Sequence, residues 1–327
     1  MFKQLVNEMV LDLTLRPDGP VLIKSGIPSI SGPDMSFVTT RRNGTDEVYF
    51  PGSSLKGVLR SHAERIARTL NSDLACNPFS KVRKTDAFCG NCFEARKDAN
   101  ESKKEEEKDK LSNAIVYSQS CPICRLFGST WYAGRLATED AYAVGTPPRP
   151  ERRDGVGIDR FTGGAADKAK FELEVITGGE FHTRLHLRNF ELWQLGLLGF
   201  VLNDLKDGLI RIGLGKSRGL GRVIGTVDHV RLDFLGPKAP RPENDTLTLK
   251  GVGELVNQEL AEEYGMQRPD HTSVPAVKPT RADGLRTTYE LSSETFPWAD
   301  LAEKWLFKSR TYEPAEPMKA HRSGSRQ

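Results

Sequence analysis

Five cysteines, Cys76, Cys89, Cys92, Cys121 and Cys124, fall within one 49-residue stretch. Four of them form two pairs, Cys89-Gly90-Asn91-Cys92 and Cys121-Pro122-Ile123-Cys124, with 28 residues between the pairs. A two-residue gap lets both thiolates of a pair reach one ion, and two pairs complete a tetrahedral shell. The spacing therefore predicts a structural Zn2+ on Cys89, Cys92, Cys121 and Cys124. A closed four-thiolate shell leaves no position open for chemistry. Two disulfides or four unrelated buried thiols are the competing readings. Nothing at the N-terminus resembles an export signal, which disfavours disulfides. Cys76 is left over, either as a substitute ligand or as a buried thiol.

Gly213-Leu214-Gly215-Lys216-Ser217-Arg218-Gly219-Leu220-Gly221 is a second chemical pattern. Its glycines let the backbone approach phosphates, and Lys216 and Arg218 add charge. It contains Gly-Lys-Ser but lacks the earlier glycine of a P-loop, since Ile210 stands there. Gly145 to Lys170 is a long Gly- and Arg-rich excursion, a length that is usually functional or disordered. His182, Arg184, His186 and Arg188 alternate with Phe181, Thr183, Leu185 and Leu187. That pattern gives a strand with one buried face and one face that is either basic and functional or merely solvated. His62 lies on an apolar helical stripe, as a hydrogen-bonded core histidine or a ligand.

These residues need elements to hold them. Leu11, Leu13 and Leu15 alternate in a first strand. A helix capped by Ser53 or Ser54 runs to about Leu70, with Leu55, Leu59, His62 and Ile66 on one face. Lys56, Arg60 and Glu64 lie on another. Arg135–Val144 reads as strand. Asn189 can cap a second helix from Phe190 to about Lys206, apolar almost all round and hence buried. A strand follows from Arg222 to Phe234. The order strand, helix, strands, helix, strand predicts an α+β, ferredoxin-like split βαβ fold with large insertions. Glu94–Lys110 carries 13 charges in 17 residues, of mixed sign, and reads as a mobile or helical solvated loop. Pro237–Pro242 reads as a linker. Short helices are expected within Val252–Tyr264 and Ala299–Phe307, and residues 313–327 read as disordered.

Composition narrows the class. The chain has 327 residues, 28% of them charged, and a net charge of +3. Nucleic-acid binding must therefore come from local charge rather than overall balance. The longest apolar run, Leu195–Leu202, is too short to span a bilayer, so a cytoplasmic protein without membrane contact is expected.

Four segments resemble the RAMP superfamily, specifically the backbone subunits of type III CRISPR-Cas effector complexes. They are Pro51–Gly57, Cys121–Ser129 with Arg125-Leu126-Phe127-Gly128, Gly157-Ile158-Asp159-Arg160 followed by Thr162 and Ala165, and Gly213–Gly221. The resemblance covers roughly residues 9–234. It implies a palm domain over 1–235 with a zinc-binding region at about 76–128 and a thumb at about 145–180. Residues 236–327 form a linker and a C-terminal extension outside the pattern.

The resemblance also assigns roles. Guide RNA would contact Ser53, Ser54, Lys56 and Arg60 at the first helix, and Lys216, Ser217 and Arg218 in the glycine-rich loop. Arg152, Arg153, Asp159, Arg160 and Thr162 would act from the thumb, which wedges between segments of the guide–target duplex. Partners would be CRISPR guide RNA, complementary target RNA and other effector subunits. Active members carry an Asp in the loop after the first strand, and Asp34 matches it. That implies target-RNA cleavage by 2′-hydroxyl attack with Mg2+ or another divalent ion. Read as a residue alone, Asp34 caps a turn after Pro33. Asp18 and Asp46 are weaker rivals. A purely structural guide-binding subunit is the alternative. A stand-alone transcript-processing nuclease is another, but it usually depends on a His, and the Gly26–Ser36 loop has none.

Overall fold

The alternating leucines form β1 (Asn7–Pro17), in the middle of a nine-stranded sheet whose paired strands run antiparallel. The architecture is that of a computed structural model, which describes residues 3–26, 32–42, 44–77, 89–101, 103–104, 106 and 111–315. A hairpin of β2 (Thr39–Arg42) and β3 (Thr45–Phe50) lies at one margin, and α1 (Gly52–Leu70) follows it. The cysteine-bearing insertion consists of α2 (Cys89–Glu101), α3 (Asn113–Gln119) and α4 (Pro122–Phe127). A short ribbon, β4 (Gly128–Ser129) with β5 (Tyr132–Ala133), leads back to the sheet through β6 (Leu136–Thr138) and β7 (Ala141–Ala143). A separate hairpin, β8 (Glu151–Ile158) with β9 (Ala165–Val175), stands off the sheet. Then come β10 (Phe181–Arg188), α5 (Leu192–Lys206) and β11 (Val223–Leu235).

Across the palm the strands run β11, β1, β10, then β6 and β7. α1 and α5 are the two crossovers, so this is the ferredoxin-like arrangement expected from the element order. Register explains the core. Leu11 pairs with Leu185 on one side and Val230 on the other, and Met9 with Leu187 and Leu232. All six are buried in the cluster that also holds Leu55 and Leu59 of α1 and Leu195 and Leu198 of α5.

The helix starts differ from expectation. α1 begins at Gly52 after Pro51, and no side chain of α1 caps it. Instead the Gly52 N–H donates to Asp140 Oδ1 at 2.7 Å, and Thr138 Oγ1 donates to the Gly52 carbonyl at 2.6 Å. A Cβ at position 52 would come within 2.6 Å of the Thr138 carbonyl, so glycine is required there. At α5, Glu191 and Gln194 form a capping box. Asn189 instead adopts φ 51°, accepts the Val6 N–H at 2.9 Å and donates to the Gln4 carbonyl at 2.7 Å.

The C-terminal extension shares the palm's core. It contains β12 (Pro242–Glu243), β13 (Thr246–Lys250), α6 (Val252–Leu255), α7 (Gln258–Glu263), β14 (His271–Pro275), β15 (Arg281–Ala282), β16 (Arg286–Ser292) and α8 (Trp298–Thr311). β16 pairs with β11 from His229↔Ser292 to Leu235↔Arg286. α8 lies on α5, where a Cβ at Gly196 would collide with the Leu301 carbonyl, and the Trp193 and Trp305 rings sit 5.9 Å apart. This is why α5 is apolar all round: sheet and α8 cover opposite sides. The proline-rich stretch is packed too, since Tyr289 donates to the Pro240 carbonyl at 2.7 Å. The division set at 236 therefore does not separate two cores. Of the expected disordered tail, residues 316–327 lie outside the described residues.

Candidate nucleic-acid interface and metal centre

The sulfurs that the fold brings together differ from the expected set by one, with Cys76 in place of Cys92. The sulfurs of Cys76, Cys89, Cys121 and Cys124 all lie within 4.8 Å of one another, and all four residues are buried. Cys76 Sγ and Cys124 Sγ are 3.4 Å apart, and the Cys121 N–H donates to Cys89 Sγ at 3.2 Å. A tetrahedral Zn–S shell with bonds of about 2.3 Å puts its sulfurs about 3.8 Å apart, so the donor set fits. Cys92 is buried in the first turn of α2 but stands outside this set. Cys76 takes the corner because α1 delivers it: Arg68 donates to the Cys76 carbonyl at 2.6 Å. The turn after α1 is held by Asn71, whose side chain accepts the Asp73 N–H at 2.9 Å. Hydrogen bonds from Cys124, Cys76 and Cys89 outweigh burial and hold the Cys121 thiol well below its usual range. Hydrogen bonding to Cys121 pushes Cys124 up.

Arg60, half-buried on α1, reaches from the Lys56 side toward this centre. It donates to Glu64 at 3.0 Å, to the Gly128 carbonyl at 3.0 Å and to Cys124 Sγ at 3.6 Å. Burial opposes its charge, but the Cys124 sulfur and Glu64 raise its pKa further. A cation donating to a metal-bound sulfur orients the ligand and offsets its charge. Arg125, next to Cys124, is also buried. It donates to the Tyr264 carbonyl at 3.0 Å and lies 3.8 Å from Glu191, tying the knuckle to the extension. His62 is a core histidine, with Nε2 2.6 Å from Asp204.

Lys56 and Lys216 have a different character. Burial lowers the pKa of each, and a neighbouring cation lowers it further: Arg60 beside Lys56, Arg65 beside Lys216. Among the described residues neither pairs with a carboxylate. Lys56 and Arg60 border a depression of about 480 Å3 lined also by Phe127–Thr130, Tyr132–Gly134, Leu136 and Ala137. Ser53 and Ser54 stand in the first turn of the same helix. Lys216, Ser217 and Arg218 form one 3₁₀ turn between Gly215 (φ 72°) and Gly219 (φ 83°), left-handed positions that favour glycine. The loop is fastened to the palm, with Leu214 N–H on the Leu22 carbonyl and Gly221 N–H on the Pro20 carbonyl, both at 2.8 Å.

Asp34 is exposed at the foot of the β8–β9 hairpin. Its Oδ2 accepts the Glu172 N–H of β9 at 2.9 Å. Residues 27–31 of its loop lie outside the described residues. Asp18 is engaged by Arg222 at 2.9 Å, and Asp46 lies exposed on β3, so neither shares this position. At the hairpin's far end Asp159 builds the turn, accepting the Phe161 N–H at 2.9 Å and the Thr162 hydroxyl at 3.0 Å. The Phe161 hydrogen bond, then that of Thr162, holds its carboxyl below the usual range. Phe161 is fully exposed, at 100%, and Ile158 at 60%. Arg152, Arg153 and Arg160 are exposed on the same hairpin, with Arg153 3.5 Å from Glu151. The sequence reading missed Phe161. Its signal was a large apolar residue inside a Gly- and Arg-rich stretch with no apolar period.

The His182–Arg188 face is open but neutralised. Arg184 meets Asp12 at 2.9 Å, Arg188 meets Glu8 at 2.9 Å, and His186 lies between Glu139 (2.8 Å) and Glu8 (3.4 Å). The charged face is thus a set of cross-strand ion pairs rather than a basic platform.

No helix among the described residues is long and apolar enough to cross a membrane. No curated protein matches the chain. The family model of the RAMP superfamily matches residues 14–224, from within β1 to the start of β11. That superfamily is associated with RNA-binding subunits of CRISPR-Cas systems. The match takes in the thiolate knuckle, the hairpin and the glycine-rich loop together, and covers well over half of the sequence, so the chain belongs to the RAMP superfamily.

Proposed function

We propose that the chain is a guide-RNA-binding backbone subunit of a type III CRISPR effector complex, and that it cuts complementary target RNA with Asp34. The observation that carries the RNA reading is a pair of lysines, Lys56, half-buried on α1, and Lys216, exposed in the glycine-rich loop. Each sits beside another cation, with no carboxylate partner among the described residues. Such an arrangement is unfavourable in the free protein and is relieved by a polyanion. Both lysines and the flanking backbone amides address phosphates, so any guide sequence is accepted. Phe161 offers an apolar surface on which an extruded base can stack. The knuckle carries Zn2+ on Cys76, Cys89, Cys121 and Cys124 as a structural ion.

Cleavage follows from the exposed carboxylate at the foot of the hairpin. The 2′-hydroxyl oxygen attacks the adjacent phosphorus while Asp34 takes its proton. The bond from phosphorus to the 5′-oxygen breaks, and that oxygen takes a proton from water. The products are a 2′,3′-cyclic phosphate and a 5′-hydroxyl. In-line attack needs a nucleotide displaced from the A-form stack, the geometry a wedge such as the hairpin creates. A divalent ion would be held by Asp34 together with RNA phosphates, in the manner of Mg2+ sites with one protein carboxylate. When bound it would stabilise charge on the phosphate. The test is to purify the chain with its RNA and partner subunits, then add complementary target with and without Mg2+. Cyclic-phosphate products at regular intervals support the reading. Target binding without any cut supports a scaffold.

A further inference from the structure

We infer that the hairpin strand β9 positions Asp34, and that occupancy of the glycine-rich loop reaches Asp34 through Arg218 and Phe171; this rests on Asp34 being the cleaving carboxylate. Residues 34–37 lie along β9. The Glu172 N–H donates to Asp34 Oδ2 at 2.9 Å, and Met35 N–H to the Glu172 carbonyl at 3.1 Å. The Glu174 N–H donates to the Met35 carbonyl at 3.0 Å, and Phe37 N–H to Glu174 Oε2 at 3.0 Å. Among the described residues, the next backbone bond to the palm side is at Ser36, whose carbonyl accepts from Ser25. Where β9 goes at Glu172, the carboxylate follows.

Phe171 precedes Glu172 and pairs across the hairpin with Gly155. Its ring fills the space over that glycine, where a Cβ would collide with it. The side chain also packs against the palm's core, and the Arg218 guanidinium lies 5.5 Å from the ring centroid. Arg218 belongs to the turn assigned to guide phosphates. A guide strand that draws the guanidinium to a phosphate alters the cover on Phe171, and hence the seat of Glu172. A contiguous chain of contacts becomes coupling only if the ends respond together, which double-mutant cycles measure.

The experiment uses the assembled complex and single-turnover cleavage at saturating target. Phe171→Leu should slow cleavage about tenfold, the scale of a mispositioned acid–base group, with guide and target affinity unchanged. Phe171→Tyr should restore the rate. Arg218→Ala should slow cleavage at saturating RNA in the wild-type background and add nothing to Phe171→Leu. Additive losses overturn the inference. A second readout is independent of cleavage: the Glu172 amide resonance of the full chain, titrated with a short single-stranded RNA. It should move in wild type and not in Phe171→Leu. A stationary Glu172 amide in wild type overturns the coupling. If Asp34→Asn cuts normally, the cleavage reading falls, and the amide titration still decides the coupling.

Discussion

Replacing Cys76 and Cys92 one at a time tests which of the two belongs to the proposed zinc shell. Cys76 has its sulfur 3.4 Å from Cys124 Sγ and belongs to the four that converge, whereas Cys92 does not. Structural zinc sites bind with about 10–16 kcal/mol in all, so one of four ligands carries about 3–4 kcal/mol. Losing it should weaken Zn2+ binding by roughly two to three orders of magnitude. Cys92→Ala removes one sulfur from a buried position and should cost about 1 kcal/mol of stability, with zinc affinity unchanged. The assay is competition with a chromophoric chelator on the reduced chain, alongside metal analysis expected to give about one zinc per chain. Equal losses in Cys76→Ala and Cys92→Ala would show that both contribute. Full affinity in Cys76→Ala with loss in Cys92→Ala would refute the ligand set and restore the paired-motif reading.

Lys56→Ala and Lys216→Ala should each weaken RNA binding equally for unrelated sequences, and lower the slope of log affinity against log salt by about 0.7; a loss confined to one sequence would contradict phosphate contact. In a complex shown to cut, Asp34→Asn should lower the cleavage rate about a hundredfold or more with binding intact, as measured by single-turnover kinetics. His186 and Arg188 hold Glu8 at a pKa of about 2, below its ordinary 4.5. Its contribution, about 1–2 kcal/mol after solvent screening, should be complete above pH 4.5 and vanish as pH falls toward 2. The acid limb of urea midpoints should therefore be shallower in Glu8→Gln. The same carboxylate raises the pKa of His186, so that share of stability is present at low pH and is lost as pH rises through the raised value. Gly196→Ala should destabilise the chain by about 1–3 kcal/mol, read from the same midpoints, because its methyl meets the Leu301 carbonyl.

Periodic elements were legible because burial writes itself into sequence at fixed intervals. β1, β10, α1 and α5 appear where alternation and helical stripes put them. Helix starts were misread for two reasons. The groups that satisfy them, Asp140 at α1 and Glu191 at α5, are fixed by tertiary approach or by a less common cap type. Ser53 and Asn189 matched the usual preference and lost to that context. The metal motif gave the right region and three of the four converging sulfurs. Local spacing could not show that a turn 13 residues before Cys89 folds back to supply Cys76. Arg60 looked like a helical surface cation, and only its contact with Cys124 reveals an inward role. The extension was illegible because its strand and helix find partners in β11 and α5, far away in sequence.

The pairing of β16 with β11 bears on where this chain can be shortened. The family match ends at residue 224, inviting a cut near 235. Such a cut would bare the outer edge of β11 from His229 to Leu235, a row of unpaired amides and carbonyls able to recruit another strand. It would also uncover the α5 surface around Trp193 that α8 now seals. Both exposures favour clumping of one truncated molecule on another. The folding unit therefore includes α8, and a palm cut at 235 should be an aggregation-prone fragment, whatever its affinity for RNA.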